Sequence, residues 1–199
     1  MSHYFTSSLS KKGFSLIEML LVLGVLSVLL IGAFIVYPKV RDNQRAKTEA
    51  ENITLIQANV RNLFLNKGGD YTGLGWGKDA SNGGDRGISN IAKVFPTSMN
   101  NGDFSRDVQI KSSWGGDVWV WARPAISVPG GQIGAERSFG ISYEGVPANV
   151  CVNLLPLLAG KFESVYINFQ ELVLPGGGFD INNVGTSCVD NATLRLTST

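Results

Sequence analysis

Residues 11–36 read KKGFSLIEMLLVLGVLSVLLIGAFIV, and the fold turns on this stretch. From Met19 to Val36 no residue is charged, and extension back to Phe14 adds a single charge, Glu18. As a helix, Phe14–Val36 would reach about 35 Å at ~1.5 Å per residue, enough to cross a hydrocarbon core of about 30 Å. Lys11 and Lys12 stand just before it and predict that the N-terminal side stays cytoplasmic. Three readings compete. A secretory signal peptide has an apolar core of roughly 7–15 residues and a small-residue cleavage site. This run is longer and leads into Val36-Tyr37-Pro38-Lys39. A plain membrane anchor accounts for everything except Glu18. A carboxylate in the middle of an apolar helix costs roughly 2.5–3.5 kcal/mol on insertion scales, less near an end, so Glu18 marks a functional site by default.

Lys11-Lys12-Gly13-Phe14-Ser15-Leu16-Ile17-Glu18, followed by the apolar run, resembles the type IV prepilin signature of basic leader, glycine, Phe-Ser/Thr-Leu-Ile-Glu and long apolar helix. The resemblance implies a membrane prepilin peptidase that cuts after Gly13 and N-methylation of the new Phe14 amine. Glu18 then becomes the fifth residue of the mature chain. The physical chemistry is compatible. Glu18 lies one helical turn beyond Phe14, on the same face, so amine and carboxylate can neutralise each other within a subunit or between neighbours. Pairing between neighbours would set a one-step register. The helix dipole also favours an anion in the first turn. Gly13 suits close approach of a protease to the backbone; its other reading is a flexible spacer.

Beyond the apolar segment, Ala46, Ala50, Ile53, Ile56, Val60 and Leu63 recur at helical spacing, with Arg45, Lys47, Glu49, Glu51 and Arg61 mostly off the stripe. Asn66-Lys67-Gly68-Gly69 supplies a basic last turn and a glycine stop. One helix over residues 14–66 is therefore expected, with Pro38 kinking it near the membrane exit. Gly24 and Gly32 thin the helix, either for packing against other helices or to loosen it in a filament. Residues 68–90 carry many glycines and no period, which predicts a long surface loop. No GK[ST] or GxGxxG pattern is present, and Asp79 and Asp85 are too sparse for calcium. A short helix capped by Ser89, with Ile91, Ala92 and Phe95 inward, ends before Pro96.

The remainder reads as β structure. Val108-Gln109-Ile110, the turn Trp114–Asp117 and Val118-Trp119-Val120-Trp121 predict a hairpin. The two tryptophans serve either the core or an aromatic stack for carbohydrate. Ser138–Tyr143 reads as a strand, and Pro147 opens a short helix over Ala148–Leu155 that Pro156 kinks or ends. Ser164–Phe169 reads as a strand with Val165, Ile167 and Phe169 on one face; Pro175–Gly178 is a loop, and Thr193–Thr197 a final strand. Cys151 and Cys188 would pair if the head lies in an oxidising compartment, or else remain two buried thiols. Pro147-Ala148-Asn149-Val150-Cys151, a second cysteine near the C-terminus and Trp114-Gly115-Gly116 at a hairpin are similar to the head of type IVb pilins. There the disulfide encloses a variable surface region, which here would be 151–188. Phe14 as first mature residue follows the type IVa habit, whereas the length of the mature chain suits type IVb.

The expected fold is α+β: a long N-terminal helix, half transmembrane and half amphipathic, packed on an antiparallel β-sheet head. The expected organisation is a removed leader (1–13), a transmembrane or filament-core helix (14–37), its amphipathic second half (38–67), a glycine-rich αβ loop with a short helix (68–105), and a β-sheet head (106–199). The 199 residues carry 17 basic and 16 acidic side chains, and no polybasic block, so no nucleic-acid partner is indicated. One histidine, His3, and two cysteines disfavour zinc sites and histidine-based catalysis, and no cofactor is expected. Loss of 1–13 would remove two lysines, that histidine and no acid, turning the net charge from +1 to −1. The resemblance implies a structural subunit that polymerises with itself into a surface filament for adhesion, aggregation or conjugative mating. Its implied partners are the prepilin peptidase, an assembly platform in the inner membrane and a receptor on a host or recipient cell. The precursor would sit in the inner membrane with its N-terminus cytoplasmic and its head periplasmic, and the mature form in the extracellular pilus. Alternatives are a minor pilin, a type II secretion pseudopilin, or a membrane-anchored binding protein or enzyme.

Overall fold

A computed structural model describes residues 13, 15–74, 94–99, 110–128, 131–172 and 178–199. The leader up to Lys12, Phe14, Val108, Gln109, residues 75–93 of the expected loop and capped helix, and residues 175–177 of the expected later loop lie outside the described residues. The chain divides into two units, Met1–Val40 and Arg41–Thr199.

Helix α1 (Leu16–Leu63) is continuous and contains Pro38. Leucine-rich sequence favours helix, and a proline inside one forfeits a backbone hydrogen bond. In the first unit every described residue is exposed. In the second unit Ala46, Ala50, Ile53, Ile56 and Val60 of α1 are all buried, as their spacing predicts. Glu49 departs from expectation. The spacing sets it among the charges mostly off the apolar stripe, yet it is 0% exposed. It sits on the Ala46/Ala50/Ile53 side of the helix, where backbone and side-chain donors meet its carboxylate. The helix ends in a 3-10 turn (Leu65–Lys67) closed by Gly68 at φ 62°, a left-handed conformation that suits glycine.

The head strands are β1 (Val118–Ala122), β2 (Ile126–Val128), β3 (Gly131–Ile133), β4 (Phe139–Val146), β5 (Ser164–Ile167), β6 (Gln170–Glu171) and β7 (Ala192–Ser198). Two further helices are α2 (Ala148–Leu158) and α3 (Ile181–Ser187). The main sheet has order β1-β4-β7-β5-β6 and every pairing is antiparallel. The last strand of the chain is thus the central one. β2 and β3 form a separate antiparallel pair. Register places Val120, Ile141, Leu196 and Val165 in one row, and Val118, Tyr143, Leu194 and Ile167 in the next. Period-2 alternation puts both rows on one face. These side chains and the buried stripe of α1 belong to one hydrophobic core. Gln57 of α1 donates to the Ser198 hydroxyl (2.8 Å) and the Lys161 carbonyl (2.9 Å), tying the helix to the end of β7.

Two expectations are corrected. Pro156 does not end α2, which runs on to Leu158. Its ring faults the hydrogen bond to the carbonyl of Val152, whose side chain is 46% exposed, so the loss falls on the solvent side. Phe169 does not continue β5. Asn168 and Phe169 both have positive φ (49° and 68°) in the β5–β6 turn, which swings the Phe169 ring out to 76% exposure. The expected hairpin before β1 is seen in its described part: Lys111 bridges Asp117 around the Ser112–Gly116 turn and the Val118 amide donates to the Ile110 carbonyl at 3.0 Å, while the ladder partner of β1 on the sheet is β4.

Candidate assembly helix and head surface

The apolar half of α1 begins with a regular first turn. The amides of Glu18 and Met19 donate to the Ser15 carbonyl at 3.1 and 3.2 Å. Glu18 lies in that turn as its acidic residue, and its side chain is exposed. Gly13 is exposed, with no side chain or backbone crowding its missing Cβ. Phe14 lies outside the described residues, so the expected pairing of its amine with Glu18 has no geometry here. Leu16, Ile17, Phe34 and Ile35 are 67–80% exposed. Gly24 and Gly32 likewise meet nothing within 4 Å. Monomeric proteins in water rarely expose apolar patches beyond roughly 300–600 Å². This helix half far exceeds that, so it requires lipid or other helices around it. It is long and apolar enough to cross a membrane.

The head is stapled where the resemblance implied. Cys151 in α2 and Cys188 just after α3 form a disulfide, with Cα atoms 5.6 Å apart and both residues buried. The bridge encloses the β5–β6 pair and α3, and closing a loop of this length stabilises the fold by roughly 4 kcal/mol in the chain-entropy view.

Sequence reasoning missed two polar sites. The first joins α1 to the turn before β1. The buried Glu49 carboxylate accepts from the Ser113 amide and from Asn52 Nδ2. The adjoining turn is held by Trp114, whose indole N–H donates to the Glu144 carbonyl at 2.9 Å. Gly116 is required here, because a Cβ would fall on the Glu144 carbonyl oxygen. Tyr143, stacked near Trp114 with ring centroids 5.8 Å apart, is fully buried. Burial first, then the Glu49 charge, holds its hydroxyl well above the usual value near 10.

The second lies on the opposite face of the sheet. Trp119, Ser142, Arg195, Tyr166 and Glu171 form one cross-strand row; Trp121, Gly140, Thr197 and Ser164 form the next. Gly140 is the only residue that fits under Trp121, since a Cβ would lie 2.4 Å from the indole ring. Arg123 Nη1 donates to Thr197 Oγ1 at 2.7 Å. The Arg195 guanidinium stacks 4.4 Å from the centroid of the Phe169 ring. Arg123 is shifted below its ordinary value by burial and, less, by the nearby Arg195 charge. Tyr166 is raised, by burial and then by Glu171. The hydroxyls of Ser142 and Ser164 and the Arg123 Nε are buried without a hydrogen-bond partner. Among the described residues no group of three or more His, Cys, Asp or Glu side chains is placed to hold a metal ion.

The family described as PilS N terminal matches residues 43–199, and the prokaryotic N-terminal methylation motif matches residues 9–34. A solved structure, a type IV b pilin from Salmonella typhi, is similar in fold at TM-score 0.50 and 20% identity, covering 75% of this chain and 97% of that one. No curated protein matches. With the family match spanning residues 43–199 and the methylation motif spanning the start of α1, the chain belongs to the PilS N-terminal family of type IV pilins, and its fold is similar to that of the solved type IVb pilin.

Proposed function

We propose that this pilin is made as an inner-membrane precursor, cut after Gly13, N-methylated on Phe14 and polymerised through the apolar half of α1 into a type IVb filament. The observation that carries the reading is the single acid in a wholly exposed apolar helix, Glu18, five residues beyond the glycine of the methylation motif. In this reading 1–13 is the leader, 14–37 the filament core, 38–67 the helix half that carries the head, and 68–105 and 151–188 the surface regions. Lys11 and Lys12 keep the N-terminus cytoplasmic while the head, with its disulfide, enters the periplasm. Removal of the leader exposes the Phe14 amine, and Glu18 of a neighbouring subunit neutralises it. Apolar burial supplies the holding energy and the charge pair supplies the register. Pro38 bends the helix where it leaves the membrane.

The chain acts by assembly rather than by turnover. Its partners are copies of itself, the prepilin peptidase and an inner-membrane assembly platform. The filament serves adhesion, aggregation or mating through surfaces of the head. Mass spectrometry of the mature protein tests the first step: the expected mass lacks residues 1–13 and carries one added methyl group. An intact Met1 terminus on assembled protein would overturn the reading. Electron microscopy of cells lacking the protein tests the second, since loss of all filaments is expected of the principal subunit. Filaments of normal number would assign it instead as a minor pilin or secretion pseudopilin.

A further inference from the structure

The sheet face turned away from α1 combines three features that a merely solvated surface does not need. It has a floor of small residues, Gly140, Ser142, Ser164 and Thr197, in adjacent register. Two of those hydroxyls, on Ser142 and Ser164, are buried and unpartnered. Around the floor stand the half-buried side chains of Trp121, Tyr166 and two guanidinium groups, Arg123 and Arg195. A buried polar group with no partner costs about 1–3 kcal/mol, so two hydroxyls and a guanidinium N–H left open on one face call for an acceptor or donor from outside.

We propose that this face binds an acidic saccharide: Arg123 and Arg195 take its carboxylate, Trp121 takes the apolar face of a pyranose ring, and Ser142, Ser164 and Glu171 take its hydroxyls. A planar guanidinium matches a carboxylate in a bidentate fork, and two of them favour a single anionic group. Glu171 stands at the edge of the same row as an acceptor. Its negative charge opposes a phosphate dianion yet accepts hydroxyl protons, which a sugar acid offers in quantity. The tryptophan presents a rigid apolar plane at low entropic cost. The Arg195 guanidinium is already held over Phe169, so it is preorganised.

The site lies within one head, so its test does not depend on polymerisation. Full-length protein in detergent is titrated with trigalacturonate, following tryptophan fluorescence, and in parallel with the methyl-esterified trimer and with inorganic phosphate. Saturable binding of trigalacturonate is expected, at least tenfold tighter than the ester and than phosphate. Arg195→Gln and Arg123→Gln are each expected to weaken it tenfold or more, and Lys47→Gln to leave it unchanged. Arg123 also bonds to Thr197, so thermal unfolding accompanies each variant, and the half-exposed Arg195 carries the decision if Arg123→Gln unfolds. Equal binding of acid and ester, equal binding of phosphate, no saturable signal, or an undiminished affinity in Arg195→Gln overturns the proposal.

Discussion

At the scale of single residues, charge in an apolar setting separates into two kinds. Glu18 was legible in the sequence because no other charge interrupts the run around it. Its replacement by alanine is expected to leave leader removal intact and to abolish filaments, read by electron microscopy beside a processing gel; normal filaments would remove the register role. Glu49 was not legible. A glutamate beside Lys47 and Glu51 looks like any solvated helix charge, and only the approach of the Ser112–Gly116 turn reveals it as buried. Glu49→Ala leaves the Ser113 amide without its acceptor, and a loss of about 1–3 kcal/mol is expected in denaturant unfolding. Tyr143 makes a pH prediction. Its folded pKa is raised, so the neutral phenol is favoured in the fold. That contribution is complete below the unfolded pKa of about 10 and is lost as pH climbs above it toward the folded value. Tyr71 and Tyr166 act with the same sign. Tyr143→Phe is therefore expected to gain on the parent in resistance to unfolding between pH 8 and pH 11, because it has no buried hydroxyl to ionise.

At the scale of elements, periodicity was the reliable guide and local strain the unreliable one. The stripe of α1 was readable because a 3.6-residue period survives any tertiary context that buries one face. Ile53→Ala, at a position 0% exposed, is expected to cost about 2–5 kcal/mol of stability in the same unfolding assay. The sequence reads strands over Ser138–Tyr143 and Thr193–Thr197, close to the observed β4 and β7, but not their order, since pairing partners are set by packing between distant segments. Nothing in Thr193–Thr197 marks it as the centre of the sheet. Pro156 does not end its helix, because the bond it forfeits lies on the exposed Val152 side. The alternation rule failed at Phe169 because two successive left-handed residues rotate the ring out of the strand plane. α3 was hidden by its weak formers Asn, Gly, Thr and Ser, and it is held beside the disulfide rather than by propensity. Replacing Cys151 and Cys188 together by serine is expected to cost about 2–5 kcal/mol, checked by thermal unfolding with and without reductant on the parent.

At the scale of the whole molecule, the two units divide the labour by where their apolar groups end up. Every buried core residue described belongs to Arg41–Thr199, beginning with Ala46, whereas the described part of the first unit buries nothing of its own. The described apolar half of α1 is exposed along its length, and its burial must come from outside the chain. Hydrophobic stabilisation scales with area removed from water, at roughly 25 cal/mol per Å², so a helix exposed on every side gains it only from a bilayer or from other subunits. This separation predicts the behaviour of a chain truncated before Arg41. Its thermal midpoint should match that of the head in the full-length protein within a few degrees, because every described core residue, from Ala46 onward, is kept. It should sediment as a monomer in plain buffer, and it should neither enter filaments nor need detergent. A truncated chain that unfolds far below the parent would mean that the apolar half supports the head directly, and the assignment of filament assembly to one half of α1 and surface recognition to the sheet would have to be given up together.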